Sequence, residues 1–347
     1  MVSQLEGNLI EAGALLSPET VAGEPIGRRT ELERLRTCLA PMLRGEQPLS
    51  CWLYGPPGSG KTTLALWTIE SIRGGAASRV GVYVNCWQHR TLHSVLQAIV
   101  DELKILGAEA QDTNVKFDRV RQAFRERTAV IILDDIDRPM PAQRDEIIGG
   151  LLNLPKVGVI CIGQGTGALA TTDDQIRSRL SPVVIDLPAY SLRELEEILV
   201  DRARRALAPD SWSHPTLRRI AAACGGDARL AIQMLRQAAA AAEMSGNAKL
   251  DPHAVEPALR QWQIIRDEAR LAGLSEHERI IQALARQHTP VGTTRLARLY
   301  VGYCQGHDIR PMARRTFTKY LGRLASSGTL TVAVSASPHG GRLVRCP

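Results

Sequence analysis

The sequence contains no apolar run approaching the ~20 residues that a helix needs to span a bilayer. Its first stretch, Met1 to Glu19, sets Glu6 and Glu11 among short apolar pairs. It lacks the basic start and apolar block of a secretion signal. Both absences lead to the expectation of a cytoplasmic protein with no membrane partner. None of the seven cysteines stands in a C-x-x-C spacing, which argues against a zinc ribbon and a disulfide framework. Cys51 and Cys161 lie inside apolar runs and read as small core residues in a reducing compartment. His89 and His93 are four apart but have no cysteine or acidic neighbour in sequence, so they read as a solvated helix start rather than a metal site. There is no internal repeat. Acidic residues are scarce in one place above all. Between Ser275 and Pro347 only Glu276, Glu278 and Asp308 stand against eleven Lys and Arg. That local surplus exceeds the net charge of the whole chain, +7, so the rest is close to neutral. A basic module on a neutral body points to a polyanion partner.

What is present fits a protein of two or three domains: 347 residues, 44% of them hydrophobic. Between Ser50 and Leu187, short apolar runs rich in Val and Ile alternate with amphipathic stretches. The runs Cys51–Tyr54, Val80–Asn85, Ala129–Leu133, Val157–Ile162 and Val183–Leu187 do not alternate in polarity. They therefore read as parallel strands buried on both faces. Thr91–Leu106 has helical spacing, with Gly107 as its stop. An α/β doubly wound domain over 23–190 follows. Ser191-Leu192-Arg193-Glu194 is a capping box that opens a helix to about Leu207. Helices at Thr216–Ala223, Asp227–Glu243 and Asp251–Leu271 complete a small α-helical domain, 191–273. Residues 1–22 are left as a flexible arm.

The last segment, 274–347, reads as a winged helix-turn-helix. Helices are expected at Glu276–Gln287, Thr293–Gln305 and Pro311–Ser326. A hairpin of Thr329–Val334 and Gly341–Cys346 follows, with its turn at Ser335–Gly340. In the third helix Phe317, Tyr320, Leu321 and Leu324 fall on a core face. Arg314, Arg315, Thr318, Lys319 and Arg323 lie mostly outward, toward the major groove of double-stranded DNA. Arg342 and Arg345 flank the wing and reach for phosphates or the minor groove.

Two motifs carry chemistry. Gly55-Pro56-Pro57-Gly58-Ser59-Gly60-Lys61-Thr62 fits G-x-x-x-x-G-K-[ST] in full, after a strand and before a helix. Its glycines let backbone N–H groups turn toward phosphate oxygens, and the helix start adds positive potential. Lys61 reaches the β- and γ-phosphates and Thr62 the Mg²⁺. Val130-Ile131-Ile132-Leu133-Asp134-Asp135 ends a buried strand in two carboxylates, the Walker-B arrangement. Asp134 then helps to hold the magnesium shell and Asp135 polarises the attacking water.

With these in place the sequence resembles the AAA+ replication initiators of archaea and eukaryotes, the origin-recognition and cell-division-cycle family, from about Glu24 to its end. Glu24-Pro25-Ile26-Gly27-Arg28-Arg29-Thr30-Glu31-Leu32 is similar to the family's stretch that packs on adenine. Val82–Cys86 and Leu187-Pro188-Ala189-Tyr190 resemble its second strand and its junction into the lid. Gly226-Asp227-Ala228-Arg229-Leu230-Ala231-Ile232 matches its second-sensor helix. The resemblance implies an AAA+ P-loop domain, an α-helical lid and a winged helix. It adds Ile26, Gly27, Arg28, Thr63, Tyr190 and Arg229 to the loop residues as the ATP/ADP contacts. Ser178-Arg179-Leu180 is similar to the box that holds the arginine finger. Arg179 would then touch a neighbouring copy's γ-phosphate in a homo-oligomer, with Arg177 competing for that role. Two positions depart from the family. Asp135 stands where Glu is usual, and the first-sensor Asn is Gln164. The expectation is a weak ATPase in which ATP acts as a slow switch. It would recognise origin duplex and recruit a replicative helicase. Two other readings stay open: an initiator-like ATPase of a mobile element or plasmid that selects target DNA, and a signalling NTPase whose winged helix binds protein.

Overall fold

Five apolar runs pair side by side, the central ones because neither of their faces can be left in water. The last, at an edge of the sheet, leaves Val184 38% exposed and so is not buried on both faces as expected. The computed structural model describes residues 9–73, 78–105, 112–252, 255–263, 274–326, 330–334 and 342–345. They fall into two units, Met1–Leu259 and Arg260–Pro347. In the first unit β1 (Cys51–Tyr54), β2 (Arg79–Asn85), β3 (Thr128–Asp134), β4 (Val157–Gly163) and β5 (Val183–Asp186) form one sheet in the order β2-β3-β4-β1-β5. All its pairings are parallel. Every residue of β3 and β4 is buried. Side chains alternate between two cores. Ala129, Ile131 and Leu133 join Val159 and Cys161 on one face, whereas Val130 and Ile132 join Ile160 and Ile162 on the other. Helices α1 (Arg29–Leu39) and α2 (Lys61–Arg73) supply the second core with Leu32, Leu35, Leu64 and Ala65. Helices α3 (Leu92–Leu103), α4 (Thr113–Ala123) and α5 (Pro141–Leu151) supply the first. Two short helices, α6 (Gly167–Ala170) and α7 (Asp174–Leu180), lead into β5.

Helix α3 ends at Leu103 rather than Leu106. Lys104 takes the left-handed conformation (φ 51°), and its N–H bonds back to Val100 and Asp101. Gly107, the expected stop, lies outside the described residues. The six described cysteines are free and buried. Burial first, then Asp134 and Asp135, push the Cys86 thiol up to about 12, so it stays protonated at neutral pH.

The lid is made of α8 (Leu192–Ala206), α9 (His214–Cys224) and α10 (Ala228–Met244). Ser191 and Glu194 form the expected capping box at α8. The expected helix 251–271 falls partly outside the described residues. The arm expected at the N-terminus is corrected by the structure: residues 9–22 are docked on the lid. Leu9 and Leu16 are buried, at 1% and 0% exposure. Glu11 and Ala12 N–H both donate to Ala206 O, at 2.9 and 3.1 Å. The buried Arg202 donates to Leu15 O (2.8 Å) and Thr20 O (2.7 Å). Leu9 and Leu16 stand among short apolar pairs broken by Gly13 and Pro18, so no sustained period shows, which is why the segment reads as loose.

In the second unit α11 (Glu276–Gln287), α12 (Thr293–Gly306) and α13 (Arg314–Ser326) pack around Tyr300, Phe317, Leu321 and Leu324. The Tyr300 and Phe317 rings stand 5.3 Å apart. The expected hairpin strands pair antiparallel as β7 (Thr331–Val334) and β8 (Arg342–Arg345), and a third strand, β6 (Val291–Gly292), joins them in the order β6-β8-β7. The two-residue β6 is too short to show an alternation. Helix α13 starts at Arg314, three residues later than expected. The turn Ser335–Gly340 lies outside the described residues. Among the described residues no helix is long and apolar enough to cross a membrane.

Leu16→Ala removes a fully buried side chain. It should lower the stability of the first unit by about 2–4 kcal/mol in urea denaturation, whereas exposed Glu11→Ala should leave it within about 0.5 kcal/mol.

Candidate nucleotide site and basic helix

The parallel sheet brings the ends of β1, β2 and β3 to one edge. Ligands of open α/β sheets bind at that carboxyl edge. The loop 55–60 leaves β1 there and runs into α2 at Lys61, so the first N–H groups of α2 have no intrahelical acceptor. Gly58 and Gly60 adopt φ of 71° and 86°, where a side chain is strained. There is also no room for one. A Cβ at Gly58 would overlap the Asp227 carboxylate, and one at Gly60 would lie 2.5 Å from the Tyr190 hydroxyl. The Ser59 hydroxyl is buried without a hydrogen-bond partner among the described residues. The Lys61 ammonium donates to Gly55 O and Pro56 O, at 2.8 and 2.9 Å, and so lies along the loop. Burial lowers its proton affinity, while Asp134 and Asp135 act in the opposite sense.

Thr62 Oγ1 donates to Asp134 Oδ2 at 2.7 Å, and the Tyr83 hydroxyl donates to the same oxygen at 3.0 Å. The other oxygen, Oδ1, accepts Asp135 N–H at 3.0 Å. A hydroxyl against a carboxylate is a pair of hard oxygen donors of the kind Mg²⁺ takes. Together with the strained, side-chain-free loop and the unpartnered Ser59 hydroxyl, this donor set fits a magnesium-bound triphosphate. Asp135 is held in the left-handed conformation, φ 55°. Burial first, then Asp134 and Asp137, hold its carboxyl above the usual range, and Arg138 and Arg229 partly offset them.

The lid meets the loop at one point. Ala228 N–H, in the first turn of α10, donates to Gly58 O at 3.1 Å. Asp227 caps the same helix by accepting Leu230 N–H at 3.0 Å. Arg229 is the next residue. It is exposed, and its charge acts on both Lys61 and Asp135.

Arg28 departs from its expected role. Its guanidinium is 2% exposed and is used inside the protein. It donates to Ser59 O (3.1 Å) and Pro188 O (2.5 Å), and it covers the Tyr190 ring at 3.9 Å. It therefore ties the phosphate loop to the lid junction, and its side chain is not free to contact a nucleotide. Beside it Gly27 (φ 72°) faces Glu194, and Ile26 is half-buried. Gln164 is exposed, and its backbone N–H donates to Asp137 Oδ2 at 3.3 Å. Arg179 is exposed on α7 and donates to Leu152 O (3.2 Å) and Asn153 Oδ1 (2.8 Å). Arg177 is tied to Asp174, Ala170 O and Thr172 O. His93 is engaged by Thr113 and by the Lys116 ammonium, both at 2.9 Å, which leaves no lone pair for a metal.

In the second unit Arg314, Arg315, Thr318 and Lys319 are exposed along α13, and Arg345 is exposed on β8. The Thr318 hydroxyl bonds back to Arg314 O at 3.0 Å. Arg323 is paired with Glu278 at 3.5 Å and so brings less charge outward than its neighbours. Arg342 is on β8, and its side chain lies outside the description. A cleft of about 410 Å³ runs beside Arg314, Thr318 and Gly322 of α13 and Thr294 of α12.

Comparison with known proteins agrees with this geometry. Residues 24–162 match the AAA ATPase domain, and residues 196–260 match the Cdc6 AAA+ ATPase-type lid domain. ORC1-type DNA replication protein 9 of Halobacterium salinarum is 30% identical over 327 residues, covering 93% of this chain and 90% of that protein. The chain belongs to the ORC1-type DNA replication protein family. A second member, from Thermococcus onnurineus, is 28% identical over 342 residues, 91% of this chain and 82% of its own length. The Aeropyrum pernix ORC2 protein, solved as ADPNP–ADP complexes, shares the fold with a TM-score of 0.76 at 24% identity. The alignment covers 97% of this chain and 94% of that one. The Aeropyrum pernix ORC1 protein in complex with DNA gives 0.67 at 23%, over 98% and 94%.

Membership in this ORC1-type family gives the chain an AAA+ ATPase domain with a helical lid. The structure adds residues to which the sequence reading gave no role at the site: Tyr83, Asp137 and Asp227. Asp137 had a signal, the third acid of Asp134-Asp135-Ile136-Asp137. Tyr83 had none, because which strand neighbours β3 is decided by the sheet order.

Asp137→Asn removes a like charge beside Asp135. The Asp135 carboxyl should then lose its proton more easily, and the acidic limb of ATPase activity should move to lower pH. A pH–rate profile of the variant against the parent checks this.

Proposed function

We propose that this chain is an ATP-switched initiator that binds origin duplex DNA and helps to recruit a replicative helicase in the cytoplasmic nucleoid. The observation that carries the switch is the hydrogen bond from Ala228 N–H to Gly58 O. The loop that would hold the phosphates is also the seat of the lid, so a change at the phosphates is felt by α10. Magnesium-bound ATP supplies the electrophilic γ-phosphoryl group and the charge that Lys61 and Arg229 balance. Thr62 and Asp134 would hold the metal, and Asp135 would accept the proton of the attacking water.

Hydrolysis is slow in this reading for two reasons. Asp135 is one methylene shorter than the usual Glu, so it reaches less far toward the attacking water. Gln164 carries its amide on a longer stem than Asn. ATP binding and release then matter more than turnover. Arg179, the more exposed of the two arginines, is offered to a second copy's γ-phosphate. The winged helix of the second unit reads the duplex with α13 in the major groove, and Arg345 lies on its wing strand. Asp135 and Gln164 are also what would favour a repurposed, mobile-element role, in which the bound sites are element ends rather than origins.

Arg314→Ala combined with Arg315→Ala should weaken duplex binding. Each lost phosphate contact should lower the slope of log affinity against log salt by about 1. An unchanged slope in a salt titration would remove DNA from the role of α13. Multiple-turnover ATP hydrolysis should stay below about 1 s⁻¹, the lower end of ordinary enzyme turnover, in a phosphate-release assay.

A further inference from the structure

Outside the nucleotide site, one cluster on the first unit combines exposed aromatic surface with unneutralised positive charge. Trp87, in the turn between β2 and α3, is 52% exposed. The turn that carries it is held firmly: Trp87 N–H donates to Asn85 Oδ1 at 2.8 Å, and Arg90 Nε donates to Trp87 O at 3.1 Å. Two guanidinium groups gather on the ring. Arg138, from the loop after β3, lies 4.4 Å from the ring centroid, and Arg90 lies 5.5 Å away. Both arginines are exposed, and neither is in a salt bridge with a carboxylate among the described residues. Because Asn85 pairs with Asp134 in register, the turn and the loop emerge side by side at the carboxyl edge of the sheet.

A rim tryptophan with two arginines matches the chemistry of a nucleobase and its phosphates. A flat ring offers stacking to any base, and guanidinium groups satisfy phosphates and stack as well. A duplex keeps its bases inside, so stacking selects for a single strand. We propose that Trp87, Arg90 and Arg138 form a contact for single-stranded nucleic acid on the ATPase domain, distinct from the duplex contact assigned to α13. Trp87 is the stacking platform, and the arginines take the flanking phosphates. The occupant is a polyanion with unpaired bases rather than an acidic protein segment, because half of the tryptophan surface is open and flat aromatic surface gains little from carboxylates.

The test uses the full chain and a fluorescently labelled oligo(dT), with anisotropy at fixed low salt, beside a duplex of equal length. Trp87→Ala and the double variant Arg90→Ala, Arg138→Ala should each weaken oligo(dT) binding about tenfold or more and leave duplex binding unchanged. Trp87→Phe should keep most of the single-strand affinity, because it keeps an aromatic face. The Arg314→Ala, Arg315→Ala double variant should show the reverse, losing duplex and keeping oligo(dT). That separates failure of this proposal from failure of the duplex reading. Unfolding midpoints within 2 °C or so of the parent establish that the variants fold. Three results would overturn the proposal: Trp87→Ala binding oligo(dT) as the parent does, a parent with no affinity for oligo(dT), or equal losses on single strand and duplex.

Discussion

Everything at the nucleotide site depends on how closely the lid helix approaches the phosphate loop. At Gly58 the space left by the missing side chain is filled by the Asp227 carboxylate, and the Gly58 carbonyl accepts Ala228 N–H. Asp227 also caps α10, so the residue that starts the lid helix is the one pressed against the loop. Arg28 makes a second tie from the opposite side, holding Ser59 O and Pro188 O in one guanidinium. The loop is therefore gripped on both flanks by protein. A lid joined to it in this way cannot move without disturbing the loop, and the reverse holds by reciprocity of coupling.

The second constraint is electrostatic. Three carboxylates, Asp134, Asp135 and Asp137, gather within four residues at the end of one buried strand, where like charges repel strongly. Asp134 accepts three hydrogen bonds, from the Thr62 and Tyr83 hydroxyls and the Asp135 N–H. Burial first, then Asp134 and Asp137, raise the proton affinity of Asp135. Asp137 spends one oxygen on the Gln164 N–H and keeps the other buried and unpartnered. These differences support the roles proposed for them, the carboxylate with three donors on the metal side and the one with the raised proton affinity as proton acceptor.

Much of this was legible in the sequence because buried parallel strands are continuous apolar runs. Runs such as Val130–Leu133 and Val157–Ile162 admit few other readings. The phosphate loop was equally clear, since its glycines are demanded by backbone geometry that the motif encodes. The illegible parts have specific causes. Arg28 is given to the nucleotide only through the resemblance of Glu24–Leu32 to a family stretch; packing reveals that carbonyls and the Tyr190 ring receive its side chain. The docking of residues 9–22 rests on Leu9, Leu16 and the distant Arg202, partners separated by nearly two hundred positions. Strand β6 holds two residues and has no periodicity to read.

The same reasoning separates charge that is available from charge that is spent. Sequence counting treats the eleven cations of the last segment alike, yet Arg323 is bound to the nearly buried Glu278, whereas Arg314, Arg315 and Lys319 are exposed. Removing Arg323 would leave a buried carboxylate unpaired and would cost stability before it cost affinity. In the first unit Arg28, Arg202 and Arg177 are likewise consumed by carbonyls and a neighbouring acid. Arg229 is exposed, with its field on Lys61 and Asp135, and Arg90 and Arg138 are gathered on one aromatic ring. A polyanion meets exposed cations that no carboxylate neutralises in a salt bridge, and among the described residues Arg229 at the lid, Arg314, Arg315 and Lys319 on α13, and Arg90 and Arg138 around Trp87 are of that kind.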